Sequence, residues 1–151
     1  MRPRAVRRLH CSAKRYTYPF MEWVVTLHSY WRWVVLLLGL AAIVLALMSA
    51  FGSRPWDSTS DRVSLFFTIA MDIQLLIGIV VWISEQAWSK DVVIGWLHPL
   101  AMIGAVALAH IGRVRADRVD ADHDKGRQAA LFFVLSFVVI LIAIPLGSWP
   151  V

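Results

Sequence analysis

Residues 130–146 read ALFFVLSFVVILIAIPL, an apolar run with no ionisable side chain. Crossing a hydrocarbon core takes about 20 mostly apolar residues of helix, and residues 129–146 form one such segment. Residues 23–51, 63–82 and 92–111 form three more, the first interrupted by Arg32 and the second by Asp72. The stretches between them, GSRPWDSTSD, SEQAWSKD and GRVRADRVDADHDKGRQ, carry the Gly, Pro, Ser and charge of loops. Short loops make consecutive helices antiparallel neighbours. The expectation is an all-α fold, an integral membrane four-helix up-down bundle over residues 21–151.

Composition agrees. A chain of 151 residues ordinarily forms one soluble domain, but 59% hydrophobic residues and a mean hydropathy of +0.65 override that prior. The single cysteine, Cys11, excludes an intrachain disulfide and a cysteine-based metal site. The net charge of +5 belongs to residues 1–20, a basic arm with six bases and no acid, whereas the rest holds nine bases and ten acids. The high pI therefore does not point to nucleic acid.

The arm lacks the apolar core of a secretory signal. It is either a genuine extension or the product of a start placed upstream of Met21. With the arm present and cytoplasmic, the bases on the two sides of the membrane balance. With a start at Met21, seven loop bases stand against Lys90, which puts those loops in the cytoplasm and both termini on the outer side.

Polar side chains mark the helix ends. Ser60 or Asp61 is expected to cap the second helix and Asp122 or Asp124 the fourth, with Pro145 near the last helix's end. Trp23, Trp31, Trp33, Trp82, Trp88, Trp96 and Trp149 lie near segment ends, where indoles meet headgroups.

His28, Arg32, Asp72 and His98 sit inside these apolar segments, where ionisable groups are costly and usually functional. At about 1.5 Å per residue, His28 and His98 lie about one turn in from the same membrane face, a result that holds for either orientation. On diagonal helices of a bundle, two imidazoles at one level can hold a b-type haem as axial ligands. The plain alternative is a pair of interfacial histidines bonded to backbone or water.

Arg32 keeps its charge at any accessible pH, and Asp72 is the expected partner, as a buried ion pair or a proton relay. Gln74 differs in direction from Asp72 by about 200°, so the two face different targets. His110, about 18 Å beyond His98, reads as an interfacial residue beside Arg113 and Arg115. The acidic cluster around His123 reads as a solvated loop, and Met48, Met71 and Met102 as packing. No Walker loop, nucleophile elbow or HExxH is present, so an independent enzyme is not expected.

The strings LHSYWRW at 27–33, LFFTIAMDIQLLIG at 65–78, LHPLAMIGAVALAHIGR at 97–113 and ILIAIP at 140–145 resemble an uncharacterised family of small bacterial four-helix membrane proteins, loosely labelled cytochrome b-like. The resemblance covers about residues 21–147. It implies Met21 as the start, a bacterial cytoplasmic (inner) membrane, and a haem or quinone connection through His28, Arg32 and His98.

The leading expectation is a membrane protein of an electron-transfer system, binding one b-type haem or a quinone between helices. His28 and His98 would serve as ligands and Arg32 as an anion anchor. Two alternatives stand beside it: a non-catalytic accessory subunit or assembly factor of a larger respiratory or photosynthetic complex, and a small proton-conducting or transport bundle using Asp72 and Arg32.

Overall fold

The computed structural model describes residues 19–52 and 54–144. Among them are four long helices and no strand: α1 (Pro19–Phe51), α2 (Ser58–Ser84), α3 (His98–Asp117) and α4 (Asp122–Ala143). A 3₁₀ turn (Ala87–Ser89) and a π turn (Val93–Leu97) join α2 to α3. All four helices are long and apolar enough to cross a membrane, α3 together with its π turn. Residues 1–18 of the basic arm, with Cys11, and also Pro145 and Trp149, lie outside the described residues.

The cap of α2 differs from expectation. Asp57 occupies the N-cap, its Oδ1 accepting from the Ser60 N–H at 2.9 Å and the Ser60 hydroxyl at 3.0 Å. This bond satisfies a backbone donor that has no partner within the helix, so α2 starts in polar sequence ahead of its apolar run. Ser60 and Asp61 fall inside the first turn. Its start is further tied by Arg54, whose Nη2 lies 2.8 Å from Asp57 Oδ2. Helix α4 follows Ala121, which makes no side-chain cap, so Asp122 and Asp124 favour the helix start through charge alone.

Helix α1 packs on α2 and α4, α3 packs on α4, and the α2–α3 seam is the loosest of the four. Consecutive helices run antiparallel, so α1 and α3 are diagonal. The interior is built from small side chains, with Ala46, Ala50, Ala105, Ala109 and Ala129 fully buried. Large aliphatics such as Leu37 (68% exposed) and Ile142 (80% exposed) point outward. Helices that associate in an apolar medium gain from close backbone approach rather than from burying leucine.

Gly126 shows how close that approach is. A Cβ there would lie 2.6 Å from the Ala50 amide nitrogen and 2.8 Å from the Ala46 carbonyl oxygen of α1. Hydroxyls complete the seams: Ser49 donates to the Asp122 carbonyl at 3.0 Å and Ser136 to the Ala105 carbonyl at 2.7 Å. Across the α2–α4 diagonal, Phe67 and Phe133 meet edge to face, 5.5 Å between ring centres.

The tryptophans divide. Trp23, Trp88 and Trp96 are exposed at helix ends. The Trp31 indole instead donates to the Ala70 carbonyl at 3.0 Å and that of Trp82 to the Gly95 carbonyl at 2.6 Å. These two tie α1 to α2 and α2 to the turn before α3.

Candidate functional site

The start of α3 is shaped by Pro99. Proline has no N–H, so the carbonyl four residues back, on Gly95, lacks its usual helical donor and accepts from Trp82 instead. One residue earlier, the His98 N–H reaches the Val93 carbonyl, a bond of π type. Single π turns recur at functional sites, where the extra residue re-aims a side chain.

The His98 and His28 rings meet across the α1–α3 diagonal with centres 6.3 Å apart and planes at 83°. The two histidines share a level, as the helix rise implies. Each ring is held by one nitrogen. His98 Nδ1 lies 2.9 Å from the Ala143 carbonyl of α4, which can only accept, so the hydrogen sits on Nδ1 and Nε2 keeps a lone pair. Gln74 of α2 donates from Nε2 to the His28 carbonyl at 3.1 Å and lies 3.4 Å from His28 Nε2. His28 Nδ1 and Gln74 Oε1 are buried and have no hydrogen-bond partner.

Gly78 makes room for this arrangement, since a Cβ there would lie 3.0 Å from His28 Cε1. A groove of about 580 Å³ between α3 and α4 opens beside His98, lined by Leu97, Ala101, Val139 and Ala143 among others. A larger groove of about 730 Å³ lies at the other end of the bundle, around Leu47, Phe51, Arg127 and Leu131, away from both rings. Arg32, one turn beyond His28, is buried at 9% exposure, its guanidinium carbon 5.6 Å from the centre of the Trp33 ring.

The expected Arg32–Asp72 ion pair is not formed. Asp72 pairs with His110 of α3, whose Nε2 lies 2.9 Å and 3.2 Å from the two carboxylate oxygens. The reason is direction. Gln74 faces α1, and a residue two positions away on a helix points about 200° from it, which turns Asp72 to the α3 side.

His110 is correspondingly not a lone interfacial residue. Helical side chains lean toward the N-terminus of their own helix, and because α2 and α3 are antiparallel the leans of Asp72 and His110 converge. Arg113, expected among lipid headgroups, also turns to α2. Its Nη1 donates to the Asp61 carbonyl at 2.9 Å and the Ser64 hydroxyl at 2.7 Å, and its Nη2 lies 3.2 Å from Asp61 Oδ1.

The structure thus brings His28 and His98 together, adds Gln74 to them, and separates Asp72 from Arg32. Gln74 was visible in the sequence only as an intramembrane amide. Pro99 within an apolar segment was the one available sign of the π turn. Comparison with known proteins finds no matching family model, no matching curated protein and no matching solved structure.

Proposed function

We propose that the chain is a membrane protein of an electron-transfer system, and that His28 and His98 hold one b-type haem between α1 and α3. The observation that carries the reading is the two imidazoles 6.3 Å apart at nearly a right angle; His98 Nε2 keeps a lone pair, and His28 would ligate through Nδ1 with its ring hydrogen moved to Nε2 and the Gln74 amide turned to accept it. The 6.3 Å separation would let both imidazoles hold one haem iron.

The donor set supports haem over a bare ion. Among the described residues no three His, Cys, Asp or Glu side chains gather to hold a metal, so a bare ion would lack protein ligands. A haem supplies four nitrogens of its own and requires only axial donors. The hydrogen bond from His98 Nδ1 to a backbone carbonyl is the outer contact that orients a ligating imidazole. Arg32, buried one turn from His28, offers a cation to a propionate. When bound, the haem supplies one-electron transfer.

One observation favours a second reading, a quinone site. By donating toward His28 Nε2, Gln74 keeps the ring hydrogen on Nδ1, which suits a quinone carbonyl, and the groove beside His98 provides a lateral way in. Both readings belong to a bacterial cytoplasmic membrane. The seven loop bases support placing the α1–α2 and α3–α4 loops inside and both termini outside.

Absorption spectra of protein purified in mild detergent, oxidised and dithionite-reduced, separate the two. A Soret band lost in His28→Ala and His98→Ala supports haem. Its absence, with a quinone in the lipid extract that both variants lose, supports the second reading.

A further inference from the structure

The Asp72–His110 pair plays no part in the histidine centre, yet it is the most unusual feature of the outer surface. Asp72 lies about 20 Å from either end of α2 and His110 about 10 Å from the loop-side end of α3, and both side chains are close to half exposed, at 44% and 47%. The exposed residues of the same stretch, Ile69, Leu76, Ile103 and Ile111, are aliphatic. An ionisable side chain within such a stretch is costly and usually functional.

We propose that Asp72 and His110 form a proton-exchange site within the apolar segments, reached from the face that carries the α1–α2 and α3–α4 loops.

The chemistry needs no co-reactant. With neutral His110 donating its Nε2–H to the Asp72 carboxylate, Nδ1 holds the lone pair. A hydronium ion delivers a proton to Nδ1: the N–H bond forms, the O–H bond breaks, and water leaves. The pair passes from a net charge of −1 to a neutral imidazolium–carboxylate, and release is the reverse step.

The route is set by what flanks the pair. Nearer the loops, about one turn from His110 along α3 and about two to three turns from Asp72 along α2, Arg113, Ser64 and Asp61 form a hydrogen-bonded polar cluster across the same seam, and that seam is the loosest in the bundle. Toward the other face, the exposed residues Leu76, Ile79, Leu100 and Ile103 are aliphatic, and the seam closes where Trp82 bonds the Gly95 carbonyl at 2.6 Å. The next charged residues toward the loops are Arg62 and Asp61 on α2 and Arg113 on α3. Helix α4 carries no titratable residue after Arg127, and α1 none after Arg32.

The test uses the full chain, labelled with ¹⁵N-histidine, in sealed vesicles oriented by a tag in the α3–α4 loop. The His110 ring signal is assigned by its loss in His110→Gln and followed between about pH 5 and 8. The expected result is a change of His110 protonation that follows pH on the loop side alone. Asp72→Asn is expected to abolish the loop-side response of that signal, while Asp72→Glu, which keeps the carboxylate, retains it. A single protonation state throughout, a response to the other side or to both, or a titration indifferent to Asp72→Asn overturns the proposal.

Discussion

Helix α3 carries two histidines in opposite circumstances. His98 follows a π turn, is fixed by the Ala143 carbonyl and is set against a second imidazole. His110 faces an open seam and is held by one carboxylate. The residue type is the same, so the difference lies in what surrounds each ring. On the proposed reading, the ring with one nitrogen tied inside the packed bundle holds a ligand, and the ring paired with a carboxylate beside a polar cluster exchanges a proton.

Deleting each ring in turn gives the largest contrast. His98→Ala is expected to reduce the haem recovered per mole of purified protein to background, and His110→Gln to leave it unchanged, as measured by haem extraction. Equal loss in both variants would erase the distinction between the two regions.

Next in size is Pro99→Ala. The new N–H competes with Trp82 for the Gly95 carbonyl and draws the π turn toward an α turn, which rotates His98 away from His28. Ligand affinity is expected to fall about tenfold, the size of effect seen when an outer contact of a ligand is removed. Gln74→Leu is expected to act similarly through His28, whereas Asp72→Asn, two residues away on the other face of α2, leaves affinity unchanged. Titration of ligand-depleted protein measures all three.

The four spans, their alternation and the shared level of His28 and His98 were legible in the sequence, because each depends only on apolar length, loop composition and helix rise. The partners of the polar side chains were not. Depth along a helix counts Cα positions, and the Asp72–His110 contact depends on side chains leaning from different levels toward each other. Gln74 was correctly separated from Asp72 in direction, but neither direction could be assigned to a neighbouring helix without the order of packing. Asp57 was passed over as a cap because the apolar run starts well after the helix does.

A smaller effect is expected at Gly78. Gly78→Ala places a Cβ 3.0 Å from His28 Cε1, so the ring must shift by a few tenths of an ångström, at a cost of about 1 kcal/mol. A modest loss of ligand affinity with nearly unchanged thermal stability would sharpen the view that this glycine serves the His28 ring.

The smallest effect lies at the start of α2, which sets the register of both Asp72 and Gln74. The Ser60 backbone N–H and the Arg54 guanidinium hold the Asp57 carboxyl down to about 2 from an ordinary 3.8. A depressed carboxyl stabilises the folded state above its unfolded value and loses that contribution as pH falls through the folded one. The stability difference between the wild type and Asp57→Asn is therefore expected at neutral pH and to vanish between about pH 4 and 2. Thermal unfolding across that range measures it, and a difference that persists at the acid end would exclude the carboxylate cap.

The most direct test of the His28–His98 centre is the absorption spectrum of the purified protein before and after dithionite. The prediction is a Soret band that shifts on reduction, disappears in His28→Ala and in His98→Ala, and survives in His110→Gln. A wild-type spectrum without a Soret band, or a band unchanged in both alanine variants, would contradict it.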